Sequence, residues 1–161
     1  MDPRVIHRLK INALCINRNY DLPYVAGSST NRRTVYIDRH FPRDGKLKIA
    51  GRAVDVTPFI LCHEMFETAM FDFYGEKYLQ SPAGPGAHNL ASVYEDDEVA
   101  AAGIKPRLYE RAFKPYIKSD AKEQLEITPP DLDLQPYRDS GDKVLADHVL
   151  MRAERTHPAF G

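Results

Sequence analysis

The chain has 161 residues, and its 22 Lys and Arg against 23 Asp and Glu leave a formal net charge of −1. That is one domain's worth of chain, with a 43% hydrophobic and 28% charged composition ordinary for a globular protein. No run of 18 or more apolar residues occurs, which argues against a membrane-spanning helix, and two cysteines cannot build a disulfide framework.

The opening stretch MDPRVIHRLKINALCINRNY is interrupted by charged or polar groups every few positions and so lacks the apolar centre of a signal peptide. The expectation is a cytoplasmic protein in which Cys15 and Cys62 serve as small buried apolar groups. Charge is unevenly spread: residues 1–62 carry 11 Lys and Arg against 5 Asp and Glu, residues 63–161 carry 11 against 18. Such asymmetry either marks a nucleic-acid surface or is neutralised across the fold.

Pro3 and the spacing of Val5, Ile6, Leu9, Ala13 and Leu14 predict a short helix over residues 3–16. LPYVA (22–26), RTVYIDRHF (33–41) and KLKIA (46–50), parted by the turn stretches GSSTN and PRDG, predict a small antiparallel sheet of about three strands. Thr57 is a natural N-cap with Pro58 in the first helical position, so a long helix is expected from there to about Tyr74, before Gly75. A second helix is expected from about His88 to Ala102, ending at Gly103, and a third from Pro106, bent or shortened at Pro115. Residues 119–141 are acidic and carry prolines, and are expected to form an extended arm wrapping the surface or a loose linker; residues 142–155 have the periodicity of a C-terminal helix. The expected fold is α+β: the small sheet packed on a helical bundle within 1–118, the arm over 119–141 and the last helix within 142–161.

The chemistry-bearing stretch is TPFILCHEMFETAM, residues 57–70. His63 and Glu67 are four apart and stack on one helical face, while Glu64 lies about 100° round. An imidazole and a carboxylate at this spacing grip one cation, and Glu64 is left to act on a bound water, the logic of H-E-x-x-H with Glu67 in place of the second histidine. A zinc site needs a third protein ligand, and AHNLASVYEDDEVA offers two, His88 and Glu95, seven apart on one face of the second helix. His88 is the better candidate, since it gives two imidazoles and one carboxylate; Glu95 is then either an alternative ligand or the acceptor that orients an imidazole N–H. The plainer alternative is a solvated polar stripe with His63 and Glu67 as an i,i+4 pair, against which stand the surrounding Phe59, Ile60, Leu61, Cys62, Phe66, Ala69 and Phe73.

A strand and polar turn, a helix carrying HE, and a second helix supplying the last ligand resemble the minimal zincin metallopeptidase core. VDVTPFILCHEMFETAMFDFYG followed by AHNLASVYEDDEVAAAGI is also similar to small bacteriophage and proteobacterial proteins with an H-E-x-x-E helix and a later A-H. The likeness covers about residues 35–117. It implies His63 as first ligand, Glu64 as general base, Glu67 in the second ligand position, and His88 or Glu95 as third ligand of one zinc ion. It further implies a peptide or protein substrate, with an extended peptide added along the strand TVYIDRHFP, and an oxyanion stabiliser among Tyr94, Tyr109, Arg107 and His40, of which Tyr109 is carried forward as a catalytic candidate.

Two other classes compete. A non-enzymatic phage-derived structural or interaction protein keeps the zincin-like core and uses residues 119–141 to hold a protein partner. A nucleic-acid platform draws on Arg32, Arg33, Arg39, Arg43, Lys46, Lys48 and Arg52 with Tyr36 and Phe41 interleaved. The run Asp96, Asp97 and Glu98 lacks the spacing of a calcium loop, and no second E-x-x-H supports a di-iron site.

Overall fold

The computed structural model describes residues 15–74, 87–117 and 125–134, together with residues 151 and 155. The fold is α+β, and residues 15–117 form a three-stranded sheet, a separate two-stranded sheet and three helices among the described residues. Among the described residues, Pro42–Pro115 belong to one compact unit, and Cys15–Phe41 with the residues from Tyr116 onward belong to another. No described helix is long and apolar enough to cross a membrane. Residues 3–14 of the helix expected over 3–16 and most of the C-terminal helix over 142–155 lie outside the described residues; Met151 and Arg155 are both helical.

In the second unit, β1 (Cys15–Asn17), β2 (Ala26–Ser28) and β3 (Thr34–Ile37) form a sheet of order β1-β3-β2. β2 and β3 run antiparallel; Gly27 and Ser28 of the expected turn stretch GSSTN are strand residues, and the connection is made by residues 29–33. β1 runs parallel to β3, with Cys15 opposite Thr34 and Asn17 opposite Tyr36. This corrects two expectations: the sheet is mixed, and residues 15 and 16 are strand where the apolar spacing extended a helix. Pairing with β3 overrides the local pattern there. β3 is flanked on both sides, so it has no free edge on which a peptide could add as a further strand.

Of the arm expected over 119–141, the described residues 125–134 are part of this unit's core. Leu125 and Leu132 pack with Leu22 and Tyr36 in one buried cluster, and Ser29 bridges Leu132 as an isolated antiparallel pair. The segment is held by carboxylates. Asp21, wholly buried, accepts from the Arg39 Nε at 2.6 Å and from the backbone N–H groups of Glu126 and Ile127 at 2.8 and 3.0 Å. Burial alone would push the Asp21 carboxyl up, but those N–H donors and the Arg39 charge outweigh it and hold the group below its ordinary range. Tyr36 donates its hydroxyl to Asp131, and Arg32 pairs with Asp133. Two arginines of the basic sequence cluster are thus held by acidic partners, since Arg39 also reaches Glu126 at 2.7 Å.

The first unit begins with a tight turn in which the Gly45 N–H donates to the Pro42 carbonyl, followed by the hairpin β4 (Lys46–Ile49) and β5 (Arg52–Asp55). The hairpin, not addition of a third strand to the other sheet, is what KLKIA forms. Its two-residue connection is Ala50 and Gly51, both at positive φ (49° and 81°), the turn whose twist matches that of paired strands. Three helices follow: α1 (Thr57–Tyr74), α2 (Ala87–Ala101) and α3 (Pro106–Phe113), the last passing at Lys114–Tyr116 into a single 3₁₀ turn that contains Pro115. α1 starts where the Thr57 N–H donates to Asp55 Oδ1 at 2.9 Å, with Pro58 in its first turn. It packs along α2, burying Met70 and Phe71 against Ala87 with Phe66 and Leu90 alongside. α2 ends in a Schellman motif: the Ile104 N–H donates to the Val99 carbonyl and the Gly103 N–H to the Ala100 carbonyl, with Gly103 at φ 79°. That reversal swings α3 back beside α2.

Candidate metal centre

α1 carries His63 and Glu67 one turn apart, and the packing of α1 on α2 brings His88, one residue into α2, over the same turn. The result is a group of three: one nitrogen each from His63 and His88 and one oxygen from Glu67 all lie within 4.8 Å of one another. His63 Nε2 is 3.2 Å from His88 Nδ1 and 3.7 Å from Glu67 Oε2, and His88 Nδ1 is 3.6 Å from Glu67 Oε1. The two imidazoles meet edge to face, with ring centroids 4.8 Å apart.

Burial is graded across the group. The side chains of Glu67 and His63 are 5% and 12% exposed, whereas that of His88 is 65% exposed. The group therefore has a dry floor and one side open to solvent. Glu67 Oε1 is buried and has no hydrogen-bond partner among the described residues. An orphaned carboxylate oxygen is an expensive feature unless a cation meets it. Two nitrogens and a carboxylate converge here, with a buried oxygen that has no hydrogen-bond partner among the described residues, and the group can hold a metal ion on that ground.

The other face of the His63 ring is also engaged. Nδ1 lies 2.9 Å from Glu95 Oε2, and the second oxygen of Glu95 accepts a hydrogen bond from the Tyr109 hydroxyl. Both candidates for a third ligand thus touch His63, but on different ring nitrogens: His88 faces Nε2 with Glu67, and Glu95 faces Nδ1. Tyr109 is buried between Phe59 (5.7 Å) and Phe113 (4.7 Å), where burial and the neighbouring Glu95 charge push its hydroxyl far up and keep the proton on it. Its hydroxyl is committed to Glu95. His63 is pulled both ways: burial pushes the imidazole down, but the hydrogen bond to Glu95 and the charges of Glu64, Glu95 and Glu67 prevail and raise it to about 9.

Glu64 is buried at 7% exposure, next along the helix from His63, whose cationic form its charge favours. Of the other oxyanion candidates, Tyr94 is buried with its ring 4.7 Å from that of Phe66, and His40 lies in the second unit, 3.2 Å from Asp21. In the acidic run after Glu95, burial and the charges of Glu110, Glu95 and Asp97 raise the Asp96 carboxyl. What spacing alone did not reveal is the contact of Tyr109 with Glu95, since it depends on the reversal at Gly103 that folds α3 against α2.

No family model, curated protein or solved structure gives a significant match to this chain.

Proposed function

We propose that this chain is a metal-dependent hydrolase, a zinc peptidase in type, in which His63 through Nε2, His88 through Nδ1 and the Glu67 carboxylate hold one zinc ion and Glu64 is the general base. The observation that carries the reading is the convergence of one ligand atom from each of those three side chains within 4.8 Å, with a buried oxygen of Glu67 that has no hydrogen-bond partner among the described residues. Three protein ligands, one of them at a solvent-facing edge, leave room for water and substrate, which separates a catalytic zinc site from a closed structural one. Zinc bound there supplies Lewis acidity: it lowers the pKa of water and polarises a carbonyl.

The remaining chemistry belongs to the chain. Glu64, one residue from the first ligand, takes the proton of the attacking water and passes it to the leaving amine. The buried setting of Glu64 and Glu67 excludes bulk water from the floor of the site, so charges there act through a low dielectric. Peptide as the substrate class rests on the likeness of residues 35–117 to a zincin core.

The test is metal analysis with hydrolysis of a mixed peptide pool. Wild type is expected to hold about one zinc per chain and to cleave; Glu64→Gln is expected to keep the zinc and lose cleavage, and His63→Ala to lose both. A wild type without zinc refutes the reading. Zinc retained with no cleavage by wild type turns the centre into a structural metal site of a binding protein.

A further inference from the structure

We infer that Glu95 and Tyr109 are positioning residues for the metal ligand His63: a chain from the Tyr109 hydroxyl through the Glu95 carboxylate to Nδ1 aims the imidazole's other nitrogen at Glu67 and His88. The inference rests on the metal reading above and extends it from three residues on two helices to five on three.

The geometry makes the case. An imidazole binds a metal through one nitrogen only, and the hydrogen bond made by the other nitrogen decides which one that is. Here Glu95 Oε2 sits 2.9 Å from Nδ1, so Nδ1 carries the proton and Nε2 is the nitrogen facing Glu67 Oε2 and His88 Nδ1. Glu95 could satisfy Nδ1 from more than one rotamer, but its second oxygen is pinned by the Tyr109 hydroxyl. Tyr109 is itself held by ring contacts with Phe59 on α1 and Phe113 on α3. Both oxygens of the carboxylate are thus engaged, one at Nδ1 and one at the Tyr109 hydroxyl. The same pair of hydrogen bonds assigns Glu95 and Tyr109 to holding His63 rather than to ligation or oxyanion stabilisation. α3 gains a function from this: it carries no ligand, yet its one buried residue, Tyr109, fixes the ligand geometry of α1.

The test is competition for zinc between the full chain and a chromophoric chelator. Glu95→Ala is expected to weaken zinc binding by about 10- to 100-fold, the usual loss when the partner of a metal-bound histidine is removed. Tyr109→Phe keeps the ring between Phe59 and Phe113 and is expected to weaken binding about tenfold or less, through a loosened Glu95. The deciding arm is the double variant. In the Glu95→Ala background Tyr109→Phe is expected to change nothing further, because the hydroxyl acts only through the carboxylate; a mere packing role would give the same loss in both backgrounds. Should Glu95→Ala fail to fold, Glu95→Gln replaces it, expected to retain an acceptor for Nδ1 and to fall between wild type and the alanine variant. Wild-type zinc affinity in both single variants, with wild type itself binding zinc, overturns this inference alone. A wild type that binds no zinc overturns the metal reading beneath it.

Discussion

Raising the pH should strip stability from the metal-free protein through His63 in particular. Its folded-state value of about 9 stands above the ordinary 6.5, because Glu95, Glu64 and Glu67 favour the imidazolium more than burial disfavours it. A group raised on folding stabilises the native state fully below its unfolded value, and that contribution is lost as pH rises through its folded value. The window is therefore from about 6.5 to about 9. The displacement corresponds to a contribution on the order of 3 kcal/mol, since each unit is worth about 1.4 kcal/mol. Urea unfolding with a chelator present, at pH 6 and again at pH 9.5, measures it in wild type and in His63→Gln. The wild type is expected to lose about 3 kcal/mol more than the variant between those two pH values. Zinc reverses the trend: its binding displaces the same proton, so the apparent affinity should strengthen about tenfold per pH unit up to about 9. Equal pH slopes in wild type and His63→Gln without metal would refute the electrostatic account of the site.

Two further substitutions test how the scaffold is held. Asp21→Ala removes a buried carboxylate that gathers Arg39 and the N–H groups of Glu126 and Ile127, and urea unfolding should show a loss of about 3 kcal/mol, reduced from the fully buried case because the Arg39 side chain is 27% exposed. The Asp21 contribution is present above its unfolded value near 3.8 and lost as pH falls through the lowered folded one, so wild type but not the variant should show an extra acid-induced loss below pH 4. Gly45→Ala puts a methyl group 2.0 Å from Thr57 Oγ1 at a φ of +67°, and denaturant midpoints should report a loss of about 2 kcal/mol at the entrance to α1.

The helices of the first unit were the most legible part of the sequence, because their ends carry local chemistry: Thr57 and Pro58 opening α1, Gly103 after α2, Pro106 opening α3 and Pro115 just past its end. The H-E-x-x-E spacing likewise needs only helix geometry to place His63 and Glu67 side by side, 3.7 Å apart. Pairing across sequence distance was less legible. β1 is strand only because β3 lies beside it, and the Ala50–Gly51 turn lacks the Asn-Gly or Asp-Gly signature that marks such hairpins. Polar, proline-bearing composition over 119–141 suggested an arm, yet Leu125 and Leu132 are core residues of their unit, because two apolar side chains among carboxylates give no period to read. In the centre, sequence favoured His88 as third ligand but kept Glu95 open as an alternative. Only their positions at the two nitrogens of one ring separate them.

The most direct measurement is X-ray absorption at the zinc edge of the zinc-loaded chain. The account predicts a first shell of nitrogen and oxygen only, at about 2.0–2.2 Å, with the imidazole scattering of two histidines that falls to one in His88→Ala. A sulfur scatterer at about 2.3 Å, which would bring in Cys62 or Cys15, or a spectrum unchanged in His88→Ala, would contradict it.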